Sequence, residues 1–155
     1  MNRWSIAACL SAALAAPAGA HHGWSSFNLD KPVYLEGRVK SVKWSNPHAE
    51  LVLEVAGGLK TPVDLPTRSV PAQVQTVDSA AVLKKSQAPG GSDGDWEIEF
   101  APLSRMERWQ VRPLKAGDRI EVIGYTGVPG KPKLLRVEYL FVDGKAYGLR
   151  SNPAN

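Results

Sequence analysis

An all-β fold, specifically a five-stranded OB-like Greek-key barrel, is predicted by three features of this 155-residue chain. Five segments alternate apolar and polar side chains, a short helical stretch separates the third from the fourth, and the first is long and changes phase midway. A bend in the first strand lets it join two sheet faces, as an OB barrel requires. An SH3-like barrel or a small sandwich is the alternative arrangement of the same elements.

The first strand, 33–44, sets Leu35, Gly37 and Val39 on one face and then shifts to Val42 and Trp44, which places a bulge near Lys40-Ser41. Ser45-Asn46-Pro47-His48 is a turn. The second strand has Ala49, Leu51, Leu53 and Val55 inward against Glu50 and Glu54 outward, so the two form a hairpin. From Gly57 to Asp95 the periodicity fails amid Pro62, Pro66, Pro71, Pro89 and Gly90-Gly91. This stretch is predicted to be a partly mobile insertion, with a short strand or helix within 73–85.

Order resumes with Trp96, Ile98 and Phe100 against Glu97 and Glu99. One or two helical turns follow over 102–109, with Leu103 and Met106 on one side. Leu114-Lys115-Ala116-Gly117-Asp118 is a turn into a fourth strand, 119–126. A Gly/Pro turn then leads to a fifth strand, 134–142, whose Leu135, Val137, Tyr139 and Phe141 are expected on one face. Residues 143–155 are expected to form a loose tail.

The N-terminus is a secretory signal peptide by its pattern. Arg3 supplies a charged start, the apolar stretch 6–16 is too short to span a bilayer, and Ala18-Gly19-Ala20 is a cleavage site. A lipoprotein reading through Cys9 is weakened by the few apolar residues before it. The organisation is therefore signal peptide 1–20, N-terminal segment 21–32, barrel 33–142 with insertion 57–95, and tail 143–155. Cys9 is the single cysteine, so the mature chain has neither a disulfide nor a thiolate ligand. The product is expected to be a soluble protein of a Gram-negative periplasm, one domain in size. The formal net charge of +4 includes Arg3 and is scattered, which argues against nucleic-acid binding.

His21-His22, Phe27, Lys31-Pro32-Val33, Gly37-Arg38-Val39, Trp44 with Asn46-Pro47-His48, Trp109 and Leu114 to Asp118 together resemble a family of small exported bacterial proteins that carry an uncharacterised-domain label. The resemblance implies export and the barrel and implies no activity. The segment between Val55 and Trp96 is longer here than in that family's pattern.

The three histidines fall in the two most distinctive segments. After cleavage His21 is N-terminal, and its amine and imidazole form a chelate unavailable to an internal residue. A third nitrogen from His48, with His22 as an alternative donor, would complete a histidine brace, and tetragonal nitrogen ligation suits Cu(II). The first strand spans about 36 Å at ~3.3 Å per residue, and the segment from His21 to Val33 extends to roughly 40 Å, so the two ends can meet if that segment runs back along the strand. Trp24 and Phe27 would pin it, and Asp30 or Glu50 would be the next candidate ligand.

Structural readings stand beside these. His21 and His22 can be a frayed terminus, and His48 a hydrogen-bonding residue that closes the hairpin. Trp24, Trp44, Trp96 and Trp109 are candidates for the core, and Glu50, Glu54, Glu97 and Glu99 are solvated strand faces. No nucleophile elbow, phosphate-cradling loop or oriented acid–base pair is present in the sequence, which argues against an enzyme. The expectation is a periplasmic copper-binding carrier, buffer or delivery protein. The alternative is a metal-free OB-like interaction module for another envelope protein or a small ligand.

Overall fold

The structure, a computed structural model, describes residues 23–154. Its elements are β1 (Val33–Lys43), β2 (Glu50–Val55), α1 (Ser79–Lys85), β3 (Gly94–Glu99), α2 (Leu103–Arg108), β4 (Arg119–Tyr125), β5 (Leu134–Val142) and β6 (Lys145–Gly148), with 3₁₀ turns at Trp24–Ser26 and Leu65–Thr67. The strands lie in the order β3-β2-β1-β4-β5-β6, and a parallel β3–β5 pairing closes the first five into a barrel. With α2 between β3 and β4, this is the OB-like topology, and the SH3-like and sandwich alternatives fall away.

Closure depends on bends. In β1, Val39 pairs with Leu53 and Ser41 with Val52, so Lys40 is the extra residue of the expected bulge. The first half of β1 pairs with β4 and the second half with β2. At this corner a Cβ on Gly37 would lie 2.3 Å from the Glu54 carbonyl oxygen, so strand contact there needs glycine. Gly124 plays the same part against β5, where a Cβ would lie 2.1 Å from the Arg136 carbonyl.

A second bulge corrects the reading of β5. Ile123 pairs with Tyr139 and Gly124 with Val137, which leaves Glu138 as the extra residue and inverts the pattern beyond it. Leu135 and Val137 face the barrel interior, then Leu140 and Val142 do, whereas Tyr139 and Phe141 belong to the outer face. The single-face expectation for β5 therefore holds only up to Val137.

The inner core gathers Leu35, Leu51, Leu53, Ile98, Phe100, Ile120 and Val122, with Met106 of α2 plugging it. Complete burial of each large apolar side chain stabilises the fold by roughly 1.5–3 kcal/mol. Trp96 is buried, and Trp44 and Trp109 pack against this core.

Segment 57–95, expected to be partly mobile, instead covers the outer face of the sheet. Leu65 and Leu83 are buried with Tyr34, Ile123 and Tyr139 in a second core. Asp78 caps α1 by accepting the Ala81 N–H at 3.0 Å. Arg68 joins this segment to the sheet through Glu121 at 2.6 Å, and the Tyr34 hydroxyl donates to the same carboxylate at 2.5 Å. A two-faced sheet needs such a cover, and an irregular cover carries no periodicity to read.

The tail is likewise ordered rather than loose. β6 pairs with β5, Leu149 is buried, and Trp109 donates its indole N–H to the Ser151 carbonyl at 2.8 Å. Gln73 of the cover accepts the Ser151 N–H at 3.0 Å. These ties satisfy backbone groups that would otherwise compete for water. Among the described residues, no helix is long and apolar enough to cross a membrane.

Candidate functional site

His48 ends the turn between β1 and β2, which contains a cis Asn46-Pro47 bond. Its Nδ1 lies 3.0 Å from the Phe100 carbonyl oxygen. Because a carbonyl only accepts, Nδ1 carries the proton of this hydrogen bond. The bond reaches past the hairpin to the chain just after β3, so His48 pins the turn to a third strand rather than closing the hairpin on itself.

The Glu99 Oε1 atom lies 3.9 Å from the same Nδ1, and Arg136 pairs with that oxygen through Nη1. The side chains of His48, Glu99 and Arg136 are only 13%, 12% and 8% exposed. Glu99 therefore departs from the expected solvated stripe, whereas Glu50, Glu54 and Glu97 are exposed as expected. Burial lowers the Arg136 proton affinity and the Glu99 charge opposes that effect. A guanidinium remains charged regardless.

The N-terminal segment reaches this neighbourhood through the stagger of the barrel. From Lys43 the register passes to Glu50, Glu99, Arg136 and Tyr125, and the adjacent Gly124 pairs with Val33. A circuit leaving the end of β1 thus returns beside the residues that precede its start. The segment enters there: Phe27 is buried with Tyr125, Val128 and Leu134, and the Asn28 N–H donates to the Thr126 carbonyl at 2.8 Å. The Trp24 ring lies edge-on to Tyr125 at 6.2 Å and under the Arg136 guanidinium at 5.2 Å.

Arg150 from the tail approaches the same ring at 4.3 Å. It is held by Glu138, a fully buried carboxylate, at 2.5 Å. The bulge in β5 turns Glu138 toward the tail and the cover, where Gln73 also donates to it at 3.0 Å. Burial, with a smaller contribution from Glu138, pushes the Tyr125 hydroxyl up to about 12.

Beside His48, an open cleft of about 510 Å³ lies over β2 and β3. Lys43 and Glu50 stand on one wall, Glu97 and Lys131 on another, and Lys131 comes from the β4–β5 connection. This is the face that OB barrels use for ligands.

His21 and His22 lie outside the described residues, as do the predicted signal peptide and its cleavage site. Among the described residues, no three His, Cys, Asp or Glu side chains form a group that could hold a metal. Asp30 is described but is not part of such a group, nor is Glu50. Sequence reading missed Glu99, Arg136, Glu138 and Arg150. The charges of Arg136 and Glu138 inside the apolar run Leu134–Val142 were the available signal.

Comparison with known proteins adds one finding. Residues 9–63 match the model of a family of unknown function, DUF6152. That match includes both the His-His pair and the Asn-Pro-His turn and ends before Trp109 and the 114–118 turn. No curated protein and no solved structure matches the chain.

Proposed function

We propose that this chain is a periplasmic OB-barrel protein that, once cleaved after Ala20, holds Cu(II) through the amine and imidazole of His21. His48 supplies a third nitrogen and His22 stands as an alternative donor. The role is that of a binding protein, a carrier, buffer or delivery module, rather than an enzyme. The observation that carries this reading is the hydrogen bond of His48: with Nδ1–H on the Phe100 carbonyl, a neutral imidazole would ligate through Nε2. A backbone carbonyl on the non-ligating nitrogen is the usual support of a metal-bound imidazole. Entry of the N-terminal segment beside Arg136 and Glu99 supports the same reading.

The test compares Cu(II) affinity of protein beginning at His21 with protein carrying one additional N-terminal residue. The extension converts the primary amine into an amide, so the proposal expects a large loss of affinity. Equal affinities would refute it. The cleft over β2 and β3 favours a second reading, a metal-free module for an envelope protein or small ligand, and binding by that module would be indifferent to the extension.

A further inference from the structure

The guanidinium of Arg150 is received by groups from other parts of the chain. Glu138, fully buried in β5, accepts from its Nε at 2.6 Å and from its Nη2 at 2.5 Å through one oxygen. Gln73 of the cover donates to the other oxygen at 3.0 Å and holds the carboxylate in place. The Trp24 and Tyr125 ring centroids lie 4.3 Å and 5.6 Å from the guanidinium carbon, within the range at which a cation is attracted to an aromatic face. A buried carboxylate that takes two N–H groups, with aromatic rings beside it, favours the planar guanidinium over the compact, strongly hydrated ammonium of lysine.

The peptide groups around Arg150 are held as well. Arg105 of α2 donates through Nη1 to the Leu149 and Arg150 carbonyls at 3.1 Å and 2.8 Å. Gln73 accepts the Ser151 N–H at 3.0 Å, and Trp109 donates its indole N–H to the Ser151 carbonyl at 2.8 Å. The receiving groups are side chains carried by a helix, its C-terminal end and the cover, whereas residues 149–151 lie outside the strands. Main-chain hydrogen bonds for affinity and one side-chain pocket for specificity are the two parts of a peptide-recognition groove.

We infer that Glu138, Gln73, Arg105 and Trp109, with the Trp24 and Tyr125 rings, form a recognition groove for an arginine-bearing peptide, filled in cis by residues 149–151. A partner segment of the same chemistry takes the groove when this strap lifts away. The inference goes beyond the copper reading and does not depend on it. Leu149 is the only buried residue of 149–154, so the strap can open without unfolding the barrel. While attached, it competes at a millimolar effective concentration, which keeps an external peptide out.

A purely structural role for the same contacts is the competing account. Three end-blocked peptides separate the two: Leu-Arg-Ser-Asn-Pro-Ala, the sequence of residues 149–154, and its versions with lysine or alanine in place of arginine. Each is titrated calorimetrically into the full-length parent, into Arg150→Ala, and into the double variant Glu138→Leu with Arg150→Met, whose pocket carries no charge.

The groove requires Arg150→Ala to bind the arginine peptide at least about tenfold more tightly than the other two, with no binding by the double variant and none by the parent at micromolar peptide. Equal affinity of Arg150→Ala for all three peptides, or binding of none, would overturn the inference and leave the contacts to the fold alone. Should Arg150→Ala fail to fold by itself, circular dichroism reads the same question: folding restored by the arginine peptide and not by the lysine peptide supports the groove, and failure of the arginine peptide to restore it refutes the groove.

Discussion

Glu138→Gln isolates the most deeply buried charge among the described residues, and its cost can be worked from the neighbours. The carboxylate is 0% exposed. It accepts from Arg150 Nε at 2.6 Å and Nη2 at 2.5 Å, and from Gln73 Nε2 at 3.0 Å. Glutamine keeps the shape but removes the charge and replaces one acceptor with a donor that faces other donors. The Arg150 guanidinium is then left in a largely dry site, with the faces of Trp24 and Tyr125 as compensation. Removing one partner of a buried pair costs about 3–5 kcal/mol.

For a domain of this size that loss lowers the melting midpoint by roughly 10–20 °C. Urea unfolding followed by circular dichroism reads the same loss as a lower midpoint at unchanged slope. The double replacement Glu138→Leu with Arg150→Met removes both charges together and should recover most of the deficit, because no ion is left unpaired. A Glu138→Gln penalty below about 1 kcal/mol, the range of an exposed pair, would refute the desolvation argument and the rigid anchorage of Arg150 that follows from it.

Three further outcomes are expected. Leu65→Ala, in the second core with Tyr34 and Tyr139, should cost about 2–5 kcal/mol by denaturant unfolding, whereas a cost near zero would detach the 57–95 cover from the folding unit. Burial pushes the Tyr125 and Tyr139 hydroxyls up to about 12; with folded values raised, their contribution is complete below the ordinary tyrosine range near ~10 and is lost as pH rises toward ~12. Alkaline melting should fall across that window, with tyrosinate absorbance appearing late in the folded protein, and early ionisation of both residues would contradict their burial. His48→Ala should weaken Cu(II) binding at least about tenfold, well beyond His22→Ala, and an unchanged affinity would reduce the site to a generic N-terminal chelate.

Much of this architecture was legible because strand alternation is local. Leu51, Leu53 and Val55 announce an inward face without reference to anything distant, and the phase shift after Val39 announces a bulge. The bulge at Glu138 was not legible, since Leu135, Val137, Tyr139 and Phe141 continue a strict alternation through it. Its position is set by pairing with β4 at Gly124, which is a property of two strands. The cover and the tail were misread for a related reason: Leu65, Leu83 and Leu149 are isolated apolar residues whose burial depends on surfaces far away in sequence.

The sequence by itself determined the succession of the five barrel strands, the helix between the third and fourth, and the three histidines as candidate nitrogen donors. Those follow from residue type and period-two patterning, which act over a few residues. Tertiary structure alone decided that Glu99 is buried against Arg136, that Glu138 faces Arg150, and that the segment before Val33 returns to the neighbourhood of His48. The last of these is a consequence of barrel closure: β5 pairs with both β4 and β3, so a segment packed on Tyr125 and Arg136 lies one strand from Glu99.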